Sequence, residues 1–108
     1  MNKIDFEFDG KKYPGIFNLN VMADLQEKFG SVDVLKLIEG DEPNIIAIRF
    51  LMTKMINEAE RVNKEKEEKK YFTEEEIGSM VTIDDLLKSS KVAQNIIVRD
   101  TESKEEKN

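Results

Sequence analysis

Two runs of carboxylates, Glu74-Glu75-Glu76 and Asp84-Asp85, are the strongest candidates for chemistry in this sequence. Side chains of this type could hold a divalent cation or perform acid–base work. Other catalytic groups are scarce. Histidine is absent, so the commonest general base near neutral pH is missing. Cysteine is absent too, which removes thiolate nucleophiles, disulfides and thiolate zinc sites together. Gly10, Gly15, Gly30, Gly40 and Gly78 stand singly and form neither a phosphate-cradling loop nor a dinucleotide fingerprint. Both acidic runs follow a threonine, Thr73 or Thr82, and fall in the first turn of a predicted helix. Capping of free N–H groups and attraction to the positive end of the helix dipole account for them without a ligand. The alternating aspartates of a calcium loop do not accompany them. The sequence therefore predicts a protein that is not an enzyme, with no catalytic residue, no metal and no cofactor.

Composition narrows the class further. The chain has 108 residues, 39% of them hydrophobic, enough for one modest core. Charged residues reach 37% and the formal net charge is −6. That balance opposes a phosphate backbone, whose affinity comes from clustered lysine and arginine, so no nucleic acid partner is expected. An anionic membrane surface is disfavoured for the same reason. The opening residues alternate apolar and acidic side chains, unlike a signal peptide, and no apolar run is long enough to span a bilayer. A soluble cytoplasmic protein is expected, with one domain over residues 1–98 and a disordered charged tail over 99–108.

The elements that would carry these residues follow from periodicity. Ile4, Phe6 and Phe8 alternate with Asp5 and Glu7, the period of a half-buried strand. Asp9-Gly10 is a strong hairpin signal, because a type I′ turn needs positive φ at both central residues. The implied register pairs Phe8 with Lys11, Glu7 with Lys12, Phe6 with Tyr13 and Asp5 with Pro14. It places Ile4, Phe6, Phe8 and Tyr13 on one face. Pro14 blunts the outer edge of the second strand, whereas the first strand has only Asp5 and Glu7 as guards. That first edge could accept a partner strand, or its charge could keep the chain monomeric.

Helices are predicted for most of the remainder. Asn18 or Asn20 caps a helix over about Val21–Phe29, ended by Gly30. A short helix from Ser31 carries Val32, Leu35 and Ile38. Asp41, with Pro43 in the first turn, opens the longest helix, whose buried stripe is Ile45, Ile48, Met52, Met55, Ile56, Ala59 and Val62, widened by Leu51. Residues 63–70 are wholly polar and either extend that helix, supported by Glu60–Lys64 and Glu65–Lys69 pairs, or form a linker. Thr73-Glu74-Glu75-Glu76 is a capping box for a short turn through Ile77 that Gly78 weakens. A similar start at Thr82–Asp85 leads to a last helix with Ile83, Leu86, Leu87, Ala93 and Ile97 on one face. The fold class is α+β, an N-terminal β-hairpin packed on four to five helices. Met22, Met52, Met55 and Met80 suit either an adaptable groove or ordinary core packing, and their helical spacing favours the core.

Several segments in order carry a family resemblance. They are Ile4-Asp5-Phe6-Glu7-Phe8-Asp9-Gly10-Lys11-Lys12-Tyr13, then Val21-Met22-Ala23-Asp24-Leu25-Gln26-Glu27-Lys28-Phe29-Gly30-Ser31, then Ile48-Arg49-Phe50-Leu51-Met52. Tyr71-Phe72-Thr73-Glu74-Glu75-Glu76-Ile77-Gly78 and a closing helix complete the set. Over roughly residues 4–98 the chain resembles the small tail assembly chaperones of long-tailed bacteriophages and prophages of Gram-positive hosts. The resemblance implies a protein of the host cytoplasm, not expected in the mature virion. It implies binding to the long helical tape measure protein, maintenance of its solubility and help in recruiting tail tube subunits. A longer frameshifted form, where one exists, would engage the tail tube protein. The expected partner contacts lie beside the hairpin and on the methionine-bearing helices, at Asp5, Phe6, Glu7, Met22, Met52 and Met55. Self-association through the unguarded strand is left open. The alternative class is an acidic regulatory protein that mimics nucleic acid, which the interspersed lysines and glutamates of 58–70 disfavour.

Overall fold

The computed structural model describes residues 2–30, 44–85 and 88. Strands β1 (Asn2–Phe8) and β2 (Lys11–Phe17) form an antiparallel hairpin. Asp9 and Gly10 join them with φ of 52° and 70°, the two positive angles that a type I′ turn demands. Phe8 pairs with Lys11, Glu7 with Lys12, Phe6 with Tyr13 and Asp5 with Pro14, as the alternation predicts. Ile4, Phe6 and Phe8 are buried, and the Tyr13 ring stacks on Phe8 with centroids 4.3 Å apart. On the opposite face Glu7 meets Lys12 at 3.6 Å in water. The second strand continues past Pro14 and Gly15 into Ile16 and Phe17, both buried.

Helix α1 (Leu19–Phe29) is capped by Asn18, whose Oδ1 accepts the Val21 N–H at 3.1 Å, and is ended by Gly30 at φ 73°. Val21 and Leu25 face the core, while Met22 and Phe29 are half-buried. Helix α2 (Ile45–Val62) begins later than Asp41 and Pro43 suggest. Asn44 is the cap, accepting the Ala47 N–H at 3.0 Å, because it alone sets an acceptor immediately before the apolar run. Ile45 is therefore a first-turn residue, 52% exposed, and not part of the buried stripe. Ile48, Leu51, Met52, Met55, Ile56 and Ala59 are buried as their spacing predicts, and Val62 is half-buried. Ala47, Phe50, Thr53 and Glu58 are buried as well, since β2, α1 and the helix that follows all pack around α2.

α2 stops at Val62, so residues 63–70 form a loop and the two predicted i,i+4 pairs lose the helical spacing they require. The Glu60 carboxylate instead accepts from Lys66 Nζ and from the Lys70 N–H, both at 2.8 Å. Asn57 fastens the far end of the loop by donating to the Phe72 carbonyl and accepting the Phe72 N–H, each at 2.8 Å. Helix α3 (Glu74–Met80) opens with the Thr73/Glu76 capping box, its two bonds both 3.0 Å. It runs through Gly78 to Met80 and does not stop at Ile77, because Ile77 is wholly buried against the core and anchors the turn. Thr82 and Asp85 make a second reciprocal cap at 3.2 and 3.1 Å. Ile83, expected on the buried face of the last helix, is 71% exposed.

The fold is α+β and mostly helical, with the aromatic face of the hairpin packed on helices. The helix predicted around Val32, Leu35 and Ile38 lies outside the described residues, as do Leu86, Leu87, Ala93, Ile97 and the tail from 99 onward. Among the described residues no helix is long and apolar enough to cross a membrane.

Candidate functional site

Three of the five acidic side chains are held locally, whereas Glu74 Oε1 is buried without a hydrogen-bond partner. Glu76 closes one capping box, Asp85 closes the other, and Asp84 pairs with Lys88 at 3.1 Å. Among the described residues no three His, Cys, Asp or Glu side chains come together to hold a metal.

A different carboxylate is buried. Glu58, on α2, is 7% exposed and carries a converging set of donors. Asn18 and Asn20 each donate an Nδ2–H to its Oε2 at 2.8 Å. Arg61 Nε donates to Oε1 at 2.6 Å and Nη2 to Oε2 at 3.1 Å. The arginine bonds hold the Glu58 carboxyl down at about 2; burial works against them, and the two asparagines add to them. A carboxylate held so firmly in its charged form, with both oxygens occupied, is a poor base. It serves as a bolt between the start of α1 and the C-terminal part of α2. Asn18 thus has two tasks, capping α1 through Oδ1 and reaching Glu58 through Nδ2. Arg61, three residues on, is the one local sign of Glu58, and nothing nearby announces its burial, because its asparagine partners lie 38 and 40 residues away.

The six residues expected to contact a partner divide into two groups. Phe6, Met52 and Met55 are core side chains, each 2% exposed, and they support the surface without forming it. Asp5 and Glu7 stand in water on β1, and Met22 is half-buried on α1. Beside Met22, Leu19 and Ala23 make an exposed apolar spot on the first turn of α1, while the other exposed residues of the helix, Asn20, Gln26, Glu27 and Lys28, are polar or charged. Leu19, at 78%, is the most exposed of the large apolar side chains among the described residues. Periodicity passes over Leu19 because it precedes the expected start of α1. An open cleft of about 490 Å³ between Pro14 and Ile16 of the hairpin and Ala59 and Val62 of α2 has a mixed lining, with Lys3, Asn63, Lys64 and Glu65 also at its walls. Comparison with family models, with curated proteins and with solved structures gives no match.

Proposed function

We propose that this protein is a tail assembly chaperone of a long-tailed phage or prophage. In this reading it is not an enzyme. It binds the tape measure protein in the host cytoplasm, keeps it soluble, helps recruit tail tube subunits and does not remain in the mature virion. The observation that carries the reading is the apolar strip Leu19, Met22 and Ala23 on α1. Leu19 and Ala23 are exposed and Met22 half-buried on an acidic chain, and the strip overlaps the Val21–Ser31 segment on which the family resemblance rests. A tape measure protein offers long amphipathic helices that aggregate when left uncovered. An amphipathic helix laid against α1 would cover its own apolar stripe there, and the net charge of −6 would hold the pair in solution.

Co-expression with the tape measure protein of the same tail gene cluster, followed by affinity purification and size exclusion, tests the proposal. A soluble complex is expected. The double variant Leu19→Glu with Ala23→Glu alters two exposed positions, so it should fold as the parent does. It should lower recovery of the complex at least about tenfold, since each buried charge facing an apolar stripe is strongly unfavourable. A tape measure protein that stays insoluble while the unaltered chain elutes alone would overturn the reading and bring the acidic regulator forward. Undiminished recovery with the double variant would move the contact off α1.

A further inference from the structure

We propose that Asp9 is a site of spontaneous isomerisation to isoaspartate, and that the closed hairpin turn holds the reaction back until the turn opens. Asp9 is the only aspartate or asparagine in the chain that is followed by glycine. That neighbour matters because a glycine nitrogen has no side chain beside it to obstruct its approach to the Asp9 carboxyl carbon. Both residues are exposed at the tip, and apart from the chain neighbours no atom lies within 4 Å of where a Gly10 Cβ would stand. In a two-residue turn the flanking pair, here Phe8 and Lys11, exchanges the backbone bonds, so the Gly10 N–H is left to water.

The reaction needs only the chain and water. The Gly10 nitrogen attacks Cγ of the protonated carboxyl; an N–Cγ bond forms, and the nitrogen's proton leaves with the carboxyl hydroxyl as water. Water then opens the cyclic imide at one of its two carbonyls. Addition at Cγ restores aspartate. Addition at the main-chain carbonyl carbon breaks its bond to the Gly10 nitrogen, which takes a proton, and the chain thereafter runs through Cβ and Cγ. Mass is unchanged. Turn geometry controls the first step. The φ angles of 52° and 70° are those of a type I′ turn, in which ψ of the first central residue is about +30°. At that angle the Gly10 nitrogen lies nearly opposite Asp9 Cβ across the Cα–C bond, whereas the imide ring needs the two eclipsed. Ring closure therefore waits for the tip to open locally. The product has one more backbone atom between Phe8 and Lys11 and no longer fits a two-residue turn. The Phe8–Lys11 pair and the stacked Phe8 and Tyr13 rings are the contacts nearest the insertion. This modification is independent of any bound tape measure protein.

Incubation of the full chain at neutral pH, folded and in urea above its unfolding midpoint, tests both parts. The tryptic peptide Ile4–Lys11 is followed over weeks by chromatography, by fragmentation that separates Asp5 from Asp9, and by methyl transfer from an isoaspartyl methyltransferase. A peptide of unchanged mass and altered retention, methylated at Asp9, is expected. It should form at least about tenfold faster in urea, because the folded chain reacts only through its opened turn. No isoaspartate at Asp9 in urea overturns the site, and equal rates in the two conditions overturn control by the turn. Asp9→Glu keeps the charge but lengthens the ring that must close, so methyl transfer to this peptide should vanish in urea, whether or not the variant folds. Persistent methyl transfer would overturn the assignment to Asp9.

Discussion

Truncating Phe6 to alanine is expected to remove about 3–5 kcal/mol of stability, a large part of the roughly 5–15 kcal/mol that holds a small domain together. Phe6 is 2% exposed at the centre of the hairpin face and belongs to the same buried cluster as Met52 and Met55 of α2. Its position depends on Gly15. A Cβ added at Gly15 would lie 2.6 Å from Phe6 Cε2 and 3.3 Å from Met55 Cβ, so the aromatic ring occupies the space that a side chain would need. Gly15→Ala should therefore cost about 1–3 kcal/mol by overpacking. The two changes should not add, because once the ring is gone the methyl group has room. Urea midpoints of the two single variants and the double variant measure this directly. If Gly15→Ala costs as much in the Phe6→Ala background as in the parent, close approach of the ring is not the reason for the glycine.

Glu58→Ala should have the next largest effect, a loss of about 2–4 kcal/mol, because it removes a buried charge together with the bonds of three partners. Acid should reproduce part of the loss in the unaltered protein. The folded-state value of Glu58 is about 2, below the ordinary 4.5, so its contribution is fully present above about pH 4.5. It declines as pH falls from there toward 2. The full shift corresponds to at most about 3 kcal/mol, and less in salt, because Arg61 is 54% exposed and screened by water. Glu60, drawn down chiefly by Lys66 and then by the Lys70 N–H, adds a slope of the same sign. Denaturant midpoints between pH 7 and pH 2 should fall more steeply for the parent than for Glu58→Ala. Parallel acid limbs would mean that Glu58 is no bolt.

The hairpin is legible to the residue because its turn type, its alternation and its Glu7–Lys12 pair all demand one register. Likewise, Thr73 and Glu76 declare their capping box within four residues, and both bonds form. Reading fails where competing signals lie close together or where the partner lies far along the chain. Asp41, Pro43 and Asn44 all suit a helix start, and only the position of the Asn44 oxygen relative to the Ala47 N–H separates them. The Glu60–Lys64 pair is good helical grammar, but the helix ends at Val62, and Glu60 turns to Lys66 and Lys70. Glu58 is one acid in a sequence that is 37% charged, and its burial becomes visible only when α1 folds back on α2. Of the methionines, the core assignment is what the geometry gives Met52 and Met55, whereas the exposure of Leu19 has no periodic signal to announce it.

The loop between α2 and α3 behaves like a purse with two drawstrings. Asn57 holds Phe72 as a neighbouring strand would, through both its N–H and its C=O, and Glu60 gathers Lys66 and Lys70 one turn further along α2. Both knots are tied by side chains of a helix that is already fixed, so the shape of the loop between them matters little to the core. Its rim, 67–68, between the ties at Lys66 and Lys70, is exposed. Lengthening a closed loop is inexpensive, about 0.6 kcal/mol for each doubling. The rim is thus the place where this chain can carry foreign sequence, such as an epitope, a fluorophore tether or a second binding module, while its hairpin edge and the outer face of α1 remain as they are.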